Sequence, residues 1–164
     1  MSFLEMTEDI INHPLFLEMQ EMPHHGGENS LYIHSVDTAK CACKLAKAFH
    51  IRAVTRAALL HDFFGYDWQS DRHRRFTKRY TGWRRVTHMH AFIHGAHAAH
   101  RAGRFFELDA RQRAAITSHM FPLAPFPANS EAWVLTLADK WVASKEVSAA
   151  VGWQVRNFYQ NLRK

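Results

Sequence analysis

Two cysteines, Cys41 and Cys43, are too few and too close for a disulfide framework. Two residues apart on a helix they point away from each other, which also argues against a zinc knuckle and leaves them as small half-buried residues. No apolar run approaches the roughly 18 residues that cross a bilayer, and no basic segment followed by an apolar stretch opens the chain. A protein without membrane contact, in the cytoplasm, is the expectation. Period-2 alternation is missing, so no convincing strand is expected. Internal repeats, low-complexity tracts and linkers are also missing, which points to one domain over residues 1–164. Acids are scarce in one place: between Asp71 and Arg85 seven Lys/Arg face a single Asp.

What is present is helical. A hydrophobic content of 47% with 22% charged residues suits a globular core rather than disorder. Two short helices are predicted over 4–11 and 14–22, the second opened by Pro14, and a turn at His24-His25-Gly26-Gly27. Ser30 suits the cap of a helix reaching about residue 50, with Leu31, His34, Thr38, Cys41, Leu45 and Ala48 on one stripe. A helix over 52–64 follows, with Val54, Ala57, Ala58 and His61 on one face, and stops at Gly65. Residues 66–88 are polar, basic and aromatic with weak periodicity. A helix from about 91–94 to 101 ends before Gly103, and Asp109 with Gln112 reads as a capping box for another that ends near Met120. The proline-rich run 121–127 cannot be helical. Asn129 or Ser130 then caps a long helix to about residue 149, separated from a terminal one by Gly152. The fold class is therefore an all-α helical bundle.

Within this frame His34, His61-Asp62, His94, His119 and Asp139 carry the chemistry. Neutral imidazole and carboxylate suit divalent iron, manganese, zinc, cobalt or nickel. Adjacent His61 and Asp62 cannot point the same way along a regular helix, but at a helix end they can flank one centre. An antiparallel bundle can bring His34 and Asp139 to them, giving a first site of His34, His61, Asp62 and Asp139. His94 and His119 can complete a second centre, with Asp62 as bridge. Each has a plainer reading alone, as a core, surface or cap residue. Asp139 resists it most: Trp133-Val134-Leu135-Thr136-Leu137-Ala138 precede it and Trp141-Val142 follow, where a carboxylate is costly unless paired or metal-bound. His88 is a second candidate for the site's surroundings or for substrate. His97 and His100 read as surface or packing residues.

The order His34, His61-Asp62, His94, His119, Asp139 resembles the HD superfamily of metal-dependent phosphohydrolases. The flanks that carry the likeness are His34-Ser35-Val36-Asp37-Thr38-Ala39, Ala57-Ala58-Leu59-Leu60-His61-Asp62 and Leu137-Ala138-Asp139-Lys140. They span about residues 30–145. The stretch Leu59-Leu60-His61-Asp62-Phe63-Phe64-Gly65-Tyr66-Asp67-Trp68, with Ser118-His119-Met120-Phe121-Pro122-Leu123, is more closely similar to a branch of small bacterial HD-domain proteins. The resemblance implies an HD-like helical bundle, one or two divalent ions (iron, manganese, zinc, cobalt, nickel or magnesium), and hydrolysis of phosphate esters by a metal-activated water. It also implies that His34, His61, Asp62, His94, His119 and Asp139 are the ligands. Many HD hydrolases carry a lysine three residues after the aspartate. Here Gly65 stands there, and Asp67 or a basic residue of 72–85 is expected to substitute.

The basic segment attracts anions whatever the fold. Arg72, Arg75, Lys78, Arg79 and Arg84 form the pool for phosphate contact, joined by His88, with Trp68, Tyr80 and Trp83 able to stack on a base. A solvated face is the plainer alternative. The expected partner is a small phosphorylated substrate such as a nucleotide. Two further readings stay open: a nucleic-acid-binding protein using this segment, and a metal- or nucleotide-binding scaffold without turnover. The sequence is silent on oligomeric state.

Overall fold

The computed structural model describes residues 1–24, 29–46, 50–65 and 78–161. Ser2 opens the first helix, α1 (Phe3–Ile11), through a capping box in which Ser2 and Glu5 each satisfy the other's backbone N–H. His13 caps α2 (Pro14–Leu17), with Pro14 in the first turn, where its missing N–H costs nothing. A 3-10 turn, Glu18–Glu21, leads to β1 (Pro23–His24), which pairs antiparallel with β2 (Asn29–Ser30). This two-residue pairing is the strand content of the described residues, and it is too short to leave an alternating pattern in the sequence.

Ser30 does cap the next helix, α3 (Leu31–Leu45), accepting from the Ile33 N–H. The helix ends at Leu45 rather than near residue 50, and its buried stripe runs Leu31, His34, Ser35, Thr38, Ala39, Ala42. Leu45, placed on that stripe by periodicity, is half exposed. α4 (Ile51–Leu60) is buried continuously from Val54 to Leu60 and touches α1, α3 and the three helices that follow residue 89, so it is the central helix. A helix packed on all sides keeps few solvent-facing positions. Its Arg56 is buried and reaches out to pair with Asp9 and the Met6 carbonyl.

Three helices complete the bundle after a short exposed one, α5 (Gly82–Thr87). α6 (His90–Phe105) continues through Gly103 instead of stopping before it. α7 (Ala110–Ser118) starts on the expected capping box, with Gln112 N to Asp109 Oδ1 at 2.7 Å and Asp109 N to Gln112 Oε1 at 2.9 Å. Asn129, not Ser130, caps α8 (Ser130–Asn161), accepting from the Ala132 N–H at 2.8 Å. α8 is one helix, unbroken at Gly152. One apolar core joins α1 to α4 and α6 to α8, including Ile10, Phe16, Leu31, Leu59, Phe63, Ile116 and Leu135. Among the described residues no helix is long and apolar enough to cross a membrane.

Candidate metal centre

The bundle brings six side chains from five elements to one point. His34 projects from the first turn of α3, and His61-Asp62 form the turn just beyond α4. His94 lies in the first half of α6, His119 caps the end of α7, and Asp139 lies on the buried face of α8. None of the six is more than 7% exposed.

Helix ends explain why these histidines face inward. His61 and His119 follow the last residues of α4 and α7 with backbones still helical, at φ −62 and φ −58. The last carbonyls of a helix lack intrahelical partners. Ala58 O and Ile116 O find one in the rings, each accepting from the Nδ1–H of His61 or His119 at 2.7 Å. His94 Nδ1 likewise donates to His90 O at 2.8 Å. Because a carbonyl can only accept, the proton sits on Nδ1 in all three rings, and Nε2 presents a lone pair to the centre.

The inward atoms are close. His94 Nε2 and His119 Nε2 are 3.0 Å apart. Asp62 Oδ2 is 3.4 Å from His61 Nε2, while its Oδ1 is 3.4 Å from His94 Nε2 and 3.7 Å from His119 Nε2. Asp139 Oδ1 lies 3.1 Å from His34 Nε2 and 3.5 Å from His61 Nε2. Asp62 thus stands between the two halves of the cluster. His34, His61 and Asp139 form one group tight enough for an ion, and His61, Asp62 and His119 another.

A divalent ion fits these donors. Ligands at about 2.1 Å from a metal lie about 3.0–3.4 Å from each other. Two Nε2 lone pairs facing at 3.0 Å repel unless a cation or a proton lies between them. His61 Nε2 and Asp62 Oδ1 are buried without a hydrogen-bond partner, an arrangement that is costly in a dry interior.

Charge balance points the same way. Burial opposes ionisation of Asp62, but the imidazoles of His61, His94, His119 and His34 hold its carboxyl below the ordinary range. Asp139 is likewise opposed by burial and held well down, first by the His34 hydrogen bond and then by the neighbouring His61. Burial disfavours a proton on His34, yet Asp139 and Glu146 raise it to about 10. His61 is also raised against burial, chiefly by the Asp62 charge. His119 goes the other way, to about 3, through burial and the neighbouring His61 and His94. The two carboxylates thus favour positive charge beside them at His34 and His61, charge that a divalent ion can supply instead.

Glycine sets the approach of α6 to α7. A Cβ on Gly95 would meet Ile116 O at 2.9 Å, Thr117 O at 3.0 Å and the His119 ring at 3.3 Å, so its absence lets His94 reach His119. At Gly65 the backbone has φ +73, and the Arg101 guanidinium fills the place a side chain would take, 4.4 Å over the Phe63 ring. Arg101 Nη1 is buried without a hydrogen-bond partner. It is a cation beside Gly65 that sequence reasoning passed over.

Other sequence candidates fall elsewhere. Asp67, Trp68, Arg72 and Arg75 lie outside the described residues. Lys78, Arg79, Arg84 and Arg85 are exposed, and so is Trp83 at 83%. His88 stacks on Tyr80 at 3.9 Å and donates from Nδ1 to Arg84 O, so its described contacts are with the basic segment and not the centre. His90 is the histidine stacked on His94, at 4.5 Å, and it also meets Phe64 edge-on. His97 and His100 are exposed. Sequence reasoning also missed Glu146, which contacts His34, and assigned His24 only to a turn. Glu146 follows Asp139 by two helical turns on α8, a spacing that puts both on one face. Two surface cavities, about 630 Å³ beside Gly103 and Arg113 and about 560 Å³ beside Met22 and Tyr32, involve none of the six residues.

Compared with known proteins, the chain matches no family model, no curated protein and no solved structure. Function is therefore argued from the geometry of the centre.

Proposed function

We propose that this protein is a metal-dependent phosphohydrolase of the HD type, acting on a nucleotide or another small phosphate ester. The observation that carries the reading is the meeting of four imidazoles and two carboxylates at one buried point, with three Nε2 lone pairs fixed inward by backbone carbonyls. His34, His61, Asp62, His94, His119 and Asp139 would hold one or two divalent ions. Such an ion supplies a Lewis acid for the phosphoryl group and lowers the pKa of water to near neutrality.

The chain's own residues supply the rest. Ala58 O, His90 O and Ile116 O hold the three ring protons away from the reacting side, so no ligand needs to reorient. Of the six, Asp62, His94 and Asp139 retain 5–7% exposure, against 1% or less for His34, His61 and His119. Substrate therefore approaches from the Asp62–His94–Asp139 side. His90 stacks on His94 there, and the basic stretch containing Lys78, Arg79, Arg84 and Arg85 runs into α6 through His88 and His90. Cations there attract a phosphate-bearing substrate and balance charge on its non-bridging oxygens.

The test is elemental analysis of protein purified without chelator or a histidine tag, followed by Mn²⁺-stimulated turnover on a phosphate-ester panel. A stoichiometric transition metal is expected, with turnover abolished in a folded Asp62→Ala variant. Protein that takes up no ion sinks the reading, and metal without turnover leaves a binding scaffold. A second reading, nucleic-acid binding, has its own support in Trp83, fully available for stacking beside Arg84 and Arg85. It requires RNA or single-stranded DNA affinity that falls steeply with salt and is lost in Trp83→Ala.

A further inference from the structure

The four imidazoles are not held alike. His61, His94 and His119 are each steered by a carbonyl three or four residues earlier in their own helix. His34 is steered from another helix: its Nδ1 lies 3.2 Å from Oε1 and 3.1 Å from Oε2 of Glu146, on α8. Its Nε2 meets Asp139 Oδ1 at 3.1 Å, so one helix grips the ring from both sides.

The spacing makes the grip possible. Seven residues on an α-helix turn by about 700°, within about 20° of two full turns, and rise about 10.5 Å. Cα–Cβ bonds on a helix lean toward its N-terminus, so the long Glu146 side chain reaches back along α8 while the short Asp139 stays level. His24 packs against the same ring, with centroids 4.1 Å apart and planes 37° apart, and its Nε2 is 3.8 Å from Glu146 Oε2.

Resting on the metal-centre reading above, we propose that Glu146 is a positioning residue: it holds the Nδ1 proton of His34 so that Nε2 is the ligand atom, and His24 keeps the ring in plane. A neutral imidazole has one lone pair, and the nitrogen that keeps the proton decides where that pair points. Carboxylate partners to metal-binding histidines fix the tautomer and raise donor strength more than a carbonyl does. His34 lies in the first turn of α3, far from the unpaired carbonyls at that helix's C-terminal end, and its Nδ1 meets Glu146 instead. The same three residues, His24, His34 and Glu146, are close enough to hold an ion themselves. That alternative requires a ligand nitrogen where the 3.1 Å contact places a shared proton, since His34 Nε2 already faces Asp139.

The experiment compares Mn²⁺ affinity of full-length wild type, Glu146→Ala and Glu146→Gln by competition with a chelating indicator. Stoichiometry, the visible spectrum of the Co²⁺-loaded protein and thermal melts in chelator are measured alongside. Glu146→Ala is expected to bind about 10–100-fold more weakly, with an altered Co²⁺ spectrum and the wild-type number of ions. Glu146→Gln, whose Oε1 still accepts from Nδ1–H, should lose less, and it carries the test if the alanine variant does not fold. Equal affinity and spectrum in all three proteins overturn the positioning role while leaving the metal reading intact. Loss of one whole equivalent, with the remaining ions bound as in wild type, also overturns it and makes Glu146 a ligand of its own ion. Wild type that binds no ion overturns both.

Discussion

Gly95→Ala adds a single methyl group at the point where α6 meets the end of α7. Its carbon would sit 2.9 Å from Ile116 O and 3.0 Å from Thr117 O, both backbone atoms that cannot swing aside. An ordinary carbon–oxygen contact is about 3.4 Å, so the helices must part by several tenths of an ångström. Overpacking of this kind costs about 1–3 kcal/mol. Alanine returns about 0.5–1 kcal/mol over glycine in a helix interior, so the net loss is about 0–2.5 kcal/mol. Gly152 on α8 isolates the packing part, since a Cβ there meets nothing within 4 Å. Gly152→Ala should stabilise by about 0.5–1 kcal/mol, and the two variants should differ by the overpacking cost alone. Urea unfolding in chelator, with m unchanged, measures both. The same displacement separates His94 from His119, now 3.0 Å apart at Nε2, so Gly95→Ala should also weaken metal binding. If Gly95→Ala is as stable as Gly152→Ala and binds metal like wild type, the close approach does not set the site.

Three further outcomes follow from particular contacts. Arg56 and Asp9 hold the Asp9 carboxyl below its ordinary range, chiefly through their hydrogen bond, so the pair stabilises the protein above the unfolded carboxyl pKa of about 4 and loses that contribution as pH falls through the depressed value. Asp9→Asn should therefore cost about 1 kcal/mol in urea melts at pH 7, since solvent screens the half-exposed carboxylate, with the gap to wild type closing in acid. Asp109→Ala removes one half of the α7 capping box and should cost about 1 kcal/mol by the same measurement. Metal at a hundredfold excess over Kd should add about 2.7 kcal/mol, or about 5–10 °C in Tm, to a protein stripped by chelator. Asp62→Ala should lose most of that shift.

Local chemistry was the legible part of this sequence. The Asp109–Gln112 box and the Ser30 cap act over three residues, and both form as their sequence suggests. Glycine was misread twice, because a stop needs the chain to turn into the left-handed region, and at Gly103 and Gly152 helical hydrogen bonding continues instead. Gly65 does take the left-handed conformation, at φ +73, but the helix expected to run to residue 64 has already ended at Leu60, so this glycine is not its stop. His34, His61, Asp62, His94, His119 and Asp139 could be picked out because each is a polar residue in an apolar helical setting, and they lie together. Glu146 was missed because its meaning comes from His34 on another helix, 112 residues away in sequence. His90 and His88 differ by only two positions in a histidine-rich run, and only the start of α6 decides which of them stacks on His94.

The centre is not what holds the bundle together. Two buried carboxylates and four imidazoles carry a desolvation cost that their mutual contacts only partly offset. The stabilising surface lies beside them, in the apolar residues Val54, Ala57, Ala58, Leu59 and Leu60 on α4 and in Ile116, Leu135 and Ala138. Those residues anchor the turns that carry His61, Asp62 and His119, so the donors are rigid before any ion arrives. A cluster that weakens the fold yet is clamped by its best-packed helix, with ring protons turned outward and lone pairs inward, has the form of a preorganised binding site. Structural ion pairs look different in the same molecule: Arg56–Asp9 and Arg111–Glu131 each reach to a partly exposed partner and satisfy their polar atoms with hydrogen bonds. That contrast, between pairs that close on themselves and a cluster left open at His61 Nε2 and Asp62 Oδ1, is the physical reason to look for a cation at the second kind of site and not the first.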